Sequence, residues 1–344
     1  MLVNGILAMN LIVTLQEIKK AQKNTTAYVK QTPLCRSDFL SELCHAEVYL
    51  KLDNLQPTHS FKVRGVMNKL VNLTNSEKSK GVVTASAGNH GQAVAFGAKE
   101  LGFSATVVVP TNTPRVKVDG IKRFGVNLIL FGENYPEAEA KAKQLAKGGE
   151  HTYISPYNDK YIVAGHGTVG LEILKQQPNV DIVAVPVGGG GLISGISIAV
   201  KSLKPQTQVV GVQSQAVPIM YESLRANRIV PPHRHEAITV AEGLSGGIEE
   251  GSITFQIAQK FVDKIVLVEE ETIRRAVYIL CREEGLVVEG SGVVGIAMLL
   301  ENKDEFAGKS VALVVTGGNI DESLLKTIIS EQEKGFSLVC NRFF

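Results

Sequence analysis

The chain has 344 residues, 44% of them hydrophobic and 20% charged, a balance that supports a folded core and excludes a disordered chain. That length suits two domains around a shared cleft. Lys and Arg number 36 against 34 Asp and Glu, so the formal charge of +2 leaves no basic footprint for nucleic acid.

At the N-terminus, Leu2 to Val13 is nearly uncharged, but no Lys or Arg precedes it and no small-residue cleavage pattern follows. A segment packed on the body is expected rather than a signal peptide. Gly81 to Thr84 then predicts a strand, followed by a glycine turn and a helix over Gln92 to Leu101. A strand at Ala105 to Val109, a helix at Pro114 to Phe124 and a strand at Asn127 to Phe131 follow. Ile182 to Val200 carries no charge and could span a bilayer by count alone, but Pro186 and four consecutive glycines break it. It reads as a strand (Ile182 to Val187), a glycine loop and a helix (Leu192 to Leu203), so no membrane segment is expected. Val209 to Gln213, Ile265 to Val268 and Ser310 to Val315 predict further strands, with a helix over Glu271 to Glu283. Ser214 to Ala237, with Pro218, Pro231, Pro232 and His233-Arg234-His235, reads as an irregular connection. Repeated βαβ units with apolar strands imply an α/β chain of mainly parallel twisted sheets flanked by helices. The cysteines Cys35, Cys44, Cys281 and Cys340 form no C-x-x-C pair, which fits reduced thiols in a cytoplasmic protein.

Three segments carry chemistry. Gly188-Gly189-Gly190-Gly191 lies between a strand and a helix, where bare backbone N–H groups at a positive helix end suit a phosphate. Ile193 and Ser194 stand where a dinucleotide G-x-G-x-x-G would place its last glycine, and no G-x-x-x-x-G-K-[ST] occurs. Ser86-Ala87-Gly88-Asn89-His90-Gly91 also joins a strand to a helix and suits a second anion such as a carboxylate; a simple turn explains it equally. His90 there reads either as a backbone anchor or as an acid–base group. In Pro57 to Gly65, Lys62 follows Phe61 at a helix start, where an amine withdrawn from water can stay neutral enough to form a Schiff base; taken alone, a solvated surface lysine explains it better, and only the glycine loop shifts the balance.

Together with Val288-Glu289-Gly290-Ser291-Gly292 and Thr316-Gly317-Gly318-Asn319, these segments resemble the fold-type II pyridoxal phosphate enzymes. The resemblance is to the serine/threonine ammonia-lyase (threonine dehydratase) branch, related to serine racemase, and runs from about Leu15 to about Ser330. It implies the two-domain, tryptophan synthase β-like fold: a large cofactor-binding domain of residues 1–80 and 158–344, a small domain of 81–157, and an active site in the cleft between them. The implied cofactor, pyridoxal 5'-phosphate, would be held by Lys62 as a Schiff base. Phe61 would lie near its ring, Asn89 on its 3-hydroxyl, Gly188, Gly189, Gly190, Gly191 and Leu192 around its phosphate, Glu289 beside it, and Thr316 against the pyridine nitrogen. Ser86 would take the substrate carboxylate, with Ala87, Asn89, His90 and Gly243 bounding the substrate. Lys62 and Ser86 are then the expected catalytic residues, and loss of water from L-threonine or L-serine to a 2-oxo acid and ammonia the expected reaction.

Departures from the family pattern refine this. Racemases of the family carry a serine on the far face of the substrate, where this chain has Ala87. Their divalent-cation site begins with a glutamate, where this chain has Gln213, with Val217 and Ile219 at later positions, so no metal is expected. His59 stands where glycine is common, and His166 where glutamine is common. No C-terminal regulatory domain is expected after Ser330, and a homodimer or homotetramer acting on a small amino acid is implied. Alternatives are a serine racemase, a lyase for 3-hydroxyaspartate, phenylserine or diaminopropionate, a non-catalytic sensor, and a metal protein built on His233 and His235. A second substrate carboxylate would need a cation in the pocket, and the sequence places none of Arg64, Arg115 and Arg225 there.

Overall fold

The computed structural model describes residues 13–231 and 238–340, with side chains as far as residue 334. Most of Leu2 to Val13, together with His233 and His235, falls outside the described residues. The strands are β1 (Leu34–Arg36), β2 (Glu47–Leu52), β3 (Val82–Ala85), β4 (Ala105–Val109), β5 (Asn127–Leu130), β6 (Thr152–Tyr153), β7 (Ile182–Pro186), β8 (Gln208–Ser214), β9 (Lys264–Val268) and β10 (Ser310–Val315). They make a six-stranded sheet in the order β1-β2-β10-β7-β8-β9 and a four-stranded sheet in the order β5-β4-β3-β6. Every pairing is parallel except β1 with β2.

The central strands are apolar because both of their faces are covered. Along β10, Val311, Leu313 and Val315 enter one core, while Ala312 and Val314 enter the other. Helix Gly290–Glu301 packs Val293, Ile296 and Ala297 into the first, and helix Gly191–Leu203 packs Ile193, Ile196 and Val200 into the second. Around the four-stranded sheet, Val83, Ala85 and Val108 face one side, and Val107 and Val109 the other. Each fully buried Val, Leu or Ile contributes roughly 1.5–3 kcal/mol through removal of apolar surface from water. Among the described residues, no helix is long and apolar enough to cross a membrane.

One stretch departs from the expected structure. Ser214 to Ala237 is not irregular throughout, because Ile219–Ala226 is a helix that buries Ile219, Met220 and Ser223. Pro218 is its N-cap residue, a place where proline's missing N–H costs nothing.

A buried ionic cluster joins the layers. Arg64 Nε and Nη2 donate to Asp53 at 2.6 and 2.8 Å, and Nη1 and Nη2 donate to Glu172 at 2.7 and 2.9 Å. Lys51 Nζ donates to Glu172 at 2.6 Å and to the Thr32 carbonyl at 2.6 Å. Arg64 and Lys51 are 1% and 0% exposed, so bulk solvent does not reach either charge. Burial pulls the Lys51 pKa below its ordinary value, with Glu172 and Asp53 opposing. Burial also works against the Arg64 charge, but Asp53 and Glu172 outweigh it and hold the pKa up. Breaking such a pair from one side strands the remaining charge, at a cost of about 3–5 kcal/mol. Glu172→Gln is therefore expected to lower stability by about that amount, read as a shifted midpoint in urea unfolding of the holoenzyme.

Candidate active site

Four helices begin at one place, and none of them starts with a side-chain cap. They are Lys62–Val71, Asn89–Leu101, Gly191–Leu203 and Gly290–Glu301. Elsewhere Thr14, Ser37 and Asp159 cap helix starts with side-chain oxygens. Bare helix N-termini present unmatched N–H groups and partial positive charge, a setting for anions. The tetraglycine loop builds the largest part of it. Gly190 has φ +85°, and a Cβ on Gly189 would sit 2.5 Å from the ring of Tyr157. Thr254 Oγ1 donates to the Gly189 carbonyl at 2.7 Å and fixes the loop's curvature.

Lys62 is the first residue of its helix and is half-buried. Its Nζ donates to the Pro156 carbonyl at 3.0 Å and lies 5.1 Å from the centre of the Phe61 ring. Burial lowers its pKa to about 8, with the charge of Glu289 acting the other way. An amine at that value is neutral far more often near neutral pH than an ordinary lysine. The preceding chain is stitched to the turn after β10, where Phe61 N donates to the Thr316 carbonyl at 3.0 Å and Ser60 bridges Gly317. His59 is exposed with φ +54°, so its glycine-like position reflects a left-handed turn.

Asn89, Glu289 and Asn319 form a polar row. Asn89 Nδ2 donates to Glu289 Oε1 at 2.7 Å, and Asn319 Nδ2 donates to Asn89 Oδ1 at 2.7 Å. Burial raises the Glu289 pKa to about 7, with Asn89 and Asn319 opposing through hydrogen bonds. Thr316 Oγ1 donates to the Ser291 carbonyl at 3.4 Å, and the Gly243 N–H donates to Ser291 Oγ at 2.8 Å. Gly243 and Leu244 in turn lie within 3.4 Å of a Cβ built on Gly188. Leu192 is buried just inside its helix. Ser86 Oγ accepts from the Gly88 N–H at 3.2 Å, and Ser86 and Ala87 are both partly exposed.

His90 is buried, with Nε2 3.2 Å from the Ile154 carbonyl. Burial and the Lys62 charge drive its pKa down to about 3, so it stays neutral. His166 is buried against Phe61, with ring centres 4.8 Å apart, and burial holds its pKa well below the usual value. Of the arginines, Arg64 is consumed by the ionic cluster. The Arg115 side chain is 93% exposed beside Asp119, and Arg225 lies over Tyr221. Gln213 uses both ends of its amide internally: Nε2 donates to the Val187 carbonyl at 3.2 Å, and Oε1 accepts from the Tyr221 N–H at 2.8 Å. Among the described residues, no three His, Cys, Asp or Glu side chains are grouped to hold a metal ion.

Pro156, Tyr157 and Thr254 belong to this arrangement although no sequence motif marks them, while Ser291 and Asn319 stand in segments that carry the resemblance without a role of their own there. Pro156 acts through its carbonyl, which every residue possesses, so no sequence signal marks it. Tyr157, an aromatic residue between β6 and the helix Lys160–Gln176, offered a weak signal through its place next to the expected crossing.

A weakened amine, an uncapped helix start behind a loop that leaves no room for Cβ, and an aromatic ring fit a phosphorylated carbonyl compound. The comparisons with known proteins agree with this chemistry. The chain is 43% identical to an L-threonine ammonia-lyase of Thermotoga maritima over 93% of this chain and 79% of that protein. Its fold matches a maize serine racemase with a TM-score of 0.87 and 30% identity, covering 95% and 99% of the two chains. It matches the processed threonine deaminase isoform 2 of Solanum lycopersicum with a TM-score of 0.86 and 31% identity, covering 92% and 88%. Residues 25–317 match the family model described as pyridoxal-phosphate dependent enzyme, and the chain belongs to that family.

Proposed function

We propose that the protein removes water from L-threonine, and from L-serine, releasing the corresponding 2-oxo acid and ammonia. The observation that carries this reading is Lys62, an amine with its pKa lowered to about 8 among four uncapped helix starts. The similarity to proteins named threonine ammonia-lyase and threonine deaminase supports the same substrate class. Residues 81–157 are read as a small domain, since all four strands of the smaller sheet fall within them, and 1–80 with 158–344 as the large one. The site then lies in the cleft between them. A homodimer or homotetramer in the cytoplasm is the assembly that this reading carries.

In this scheme the loop Gly188 to Gly191 and the Leu192 N–H hold the phosphate of pyridoxal phosphate, and Lys62 holds its carbonyl carbon. The cofactor supplies the electron sink that makes the substrate Cα–H acidic. Ser86 and the N–H groups at the start of the Asn89 helix bind the substrate carboxylate. Once the substrate amine has replaced it, the neutral Lys62 amine would take the Cα proton and return a proton to the β-hydroxyl, which would depart as water. Asn89, held by Glu289 and Asn319, would serve the ring hydroxyl. Thr316 would offer the ring nitrogen a hydroxyl, which could not sustain a full positive charge there as a carboxylate would. Ala87 has no proton to deliver from the opposite face, which favours elimination over racemisation.

Three outcomes test this. Lys62→Ala is expected to abolish 2-oxo acid release from L-threonine and the visible absorbance of protein-bound cofactor; retention of both would refute the role. Loading of cofactor-stripped protein requires the neutral amine, so its rate should climb with pH and level off above about 8. A flat profile from pH 6 to 9 would contradict it. Because Gln213 satisfies its own amide, turnover is expected to be unchanged by a metal chelator, measured as 2-oxo acid release with and without it.

A further inference from the structure

An ion pair stands at the mouth of the site. Lys117, from the helix Arg115–Lys122 beside the four-stranded sheet, places Nζ 2.7 Å from Glu242 Oε2. Glu242 opens the turn Glu242–Leu244, whose Gly243 and Leu244 pack against Gly188 of the glycine loop. The pair therefore spans the gap between elements of the two sheets, with side chains 36% and 66% exposed. Gly243, next to Glu242, donates its N–H to Ser291 Oγ at 2.8 Å, which ties the pair to the segment that carries Glu289. After its own burial and the hydrogen bonds from Asn89 and Asn319, Glu289 is pushed up by Glu242 and down by Lys117. Arg64 cannot serve there, because Asp53 and Glu172 enclose it in the core. Arg115 points to solvent beside Asp119.

We infer that the Lys117–Glu242 pair sets the charge that the site accepts on the β-substituent, admitting neutral side chains and refusing a second carboxylate. This rests on the amino-acid lyase reading above. The argument is electrostatic. A hydroxylated amino dicarboxylic acid brings one more negative charge toward the mouth, where Glu242 repels it and where Lys117 is already engaged. Discrimination between partners through a like charge is stronger than through shape alone. Removing the Glu242 charge while keeping its size releases Lys117 as a partner for that carboxylate.

The test compares the unaltered holoenzyme with Glu242→Gln, Lys117→Met and the double variant, using L-threonine and 3-hydroxyaspartate as substrates. Glu242→Gln is expected to raise kcat/KM for 3-hydroxyaspartate relative to L-threonine by about tenfold or more, and the double variant to return the ratio to its starting value. An unchanged ratio, or an equal loss on both substrates in Glu242→Gln, would show a clasp between the two sheets and overturn the inference. A second readout needs no turnover: the thermal shift that succinate gives to the holoenzyme should grow in Glu242→Gln and return to its starting value in the double variant. Inactivity of the unaltered enzyme on L-threonine and L-serine would count against the lyase reading alone. The succinate shifts would then still decide the role of the pair, and equal shifts in all four proteins would reject it.

Discussion

The guanidinium of Arg64 is the fixed point of this molecule. It lies two residues beyond Lys62 on the same helix and binds carboxylates from two other segments, Asp53 after β2 and Glu172 on the helix Lys160–Gln176. Its planar fork holds both carboxylates at once, which the single ammonium of a lysine cannot do. Thr32 and Thr168 occupy further donors of the same group, so its orientation is set from several directions. A helix fastened in this way cannot rotate without stranding a charge in the core. Lys62, at the first turn of that helix, is consequently placed by interactions that lie behind it.

The surroundings of the amine follow from the same economy of water. Where solvent is withdrawn, acids and bases both move toward their neutral forms. Lys62 falls to about 8 and Glu289 rises to about 7, each carried by burial toward its neutral form. Four helix starts aimed at the same region supply positive potential without any further ionised side chain. The site thus gathers its anion affinity from backbone and keeps its lysine available as a base.

The central strands were legible in the sequence because buried parallel strands are apolar on both faces, as β7 and β10 show, whereas β2 and the short, partly exposed β1 and β6 were not singled out. The glycine loop and the Lys62 helix were legible for a local reason: their function depends on neighbours in the chain. Arg64 was not. Nothing near it in the chain marks its place, because its partners lie 11 and 108 residues away and carry it into the core. The helix Ile219–Ala226 was hidden by prolines on either side, although its own residues bury an apolar stripe. His90 and His166 show the same limit, since only the fold reveals that both are enclosed and neutral.

The hydrogen bond from Lys62 Nζ to the Pro156 carbonyl ties the reactive amine to the strand-to-helix crossover that follows β6. An amine occupied in chemistry cannot keep all its protons for that carbonyl. The lysine is then a tether as well as a reagent: the group that carries the chemistry also holds the chain that leads out of the smaller sheet, so any replacement of Lys62 removes a fastening along with a base.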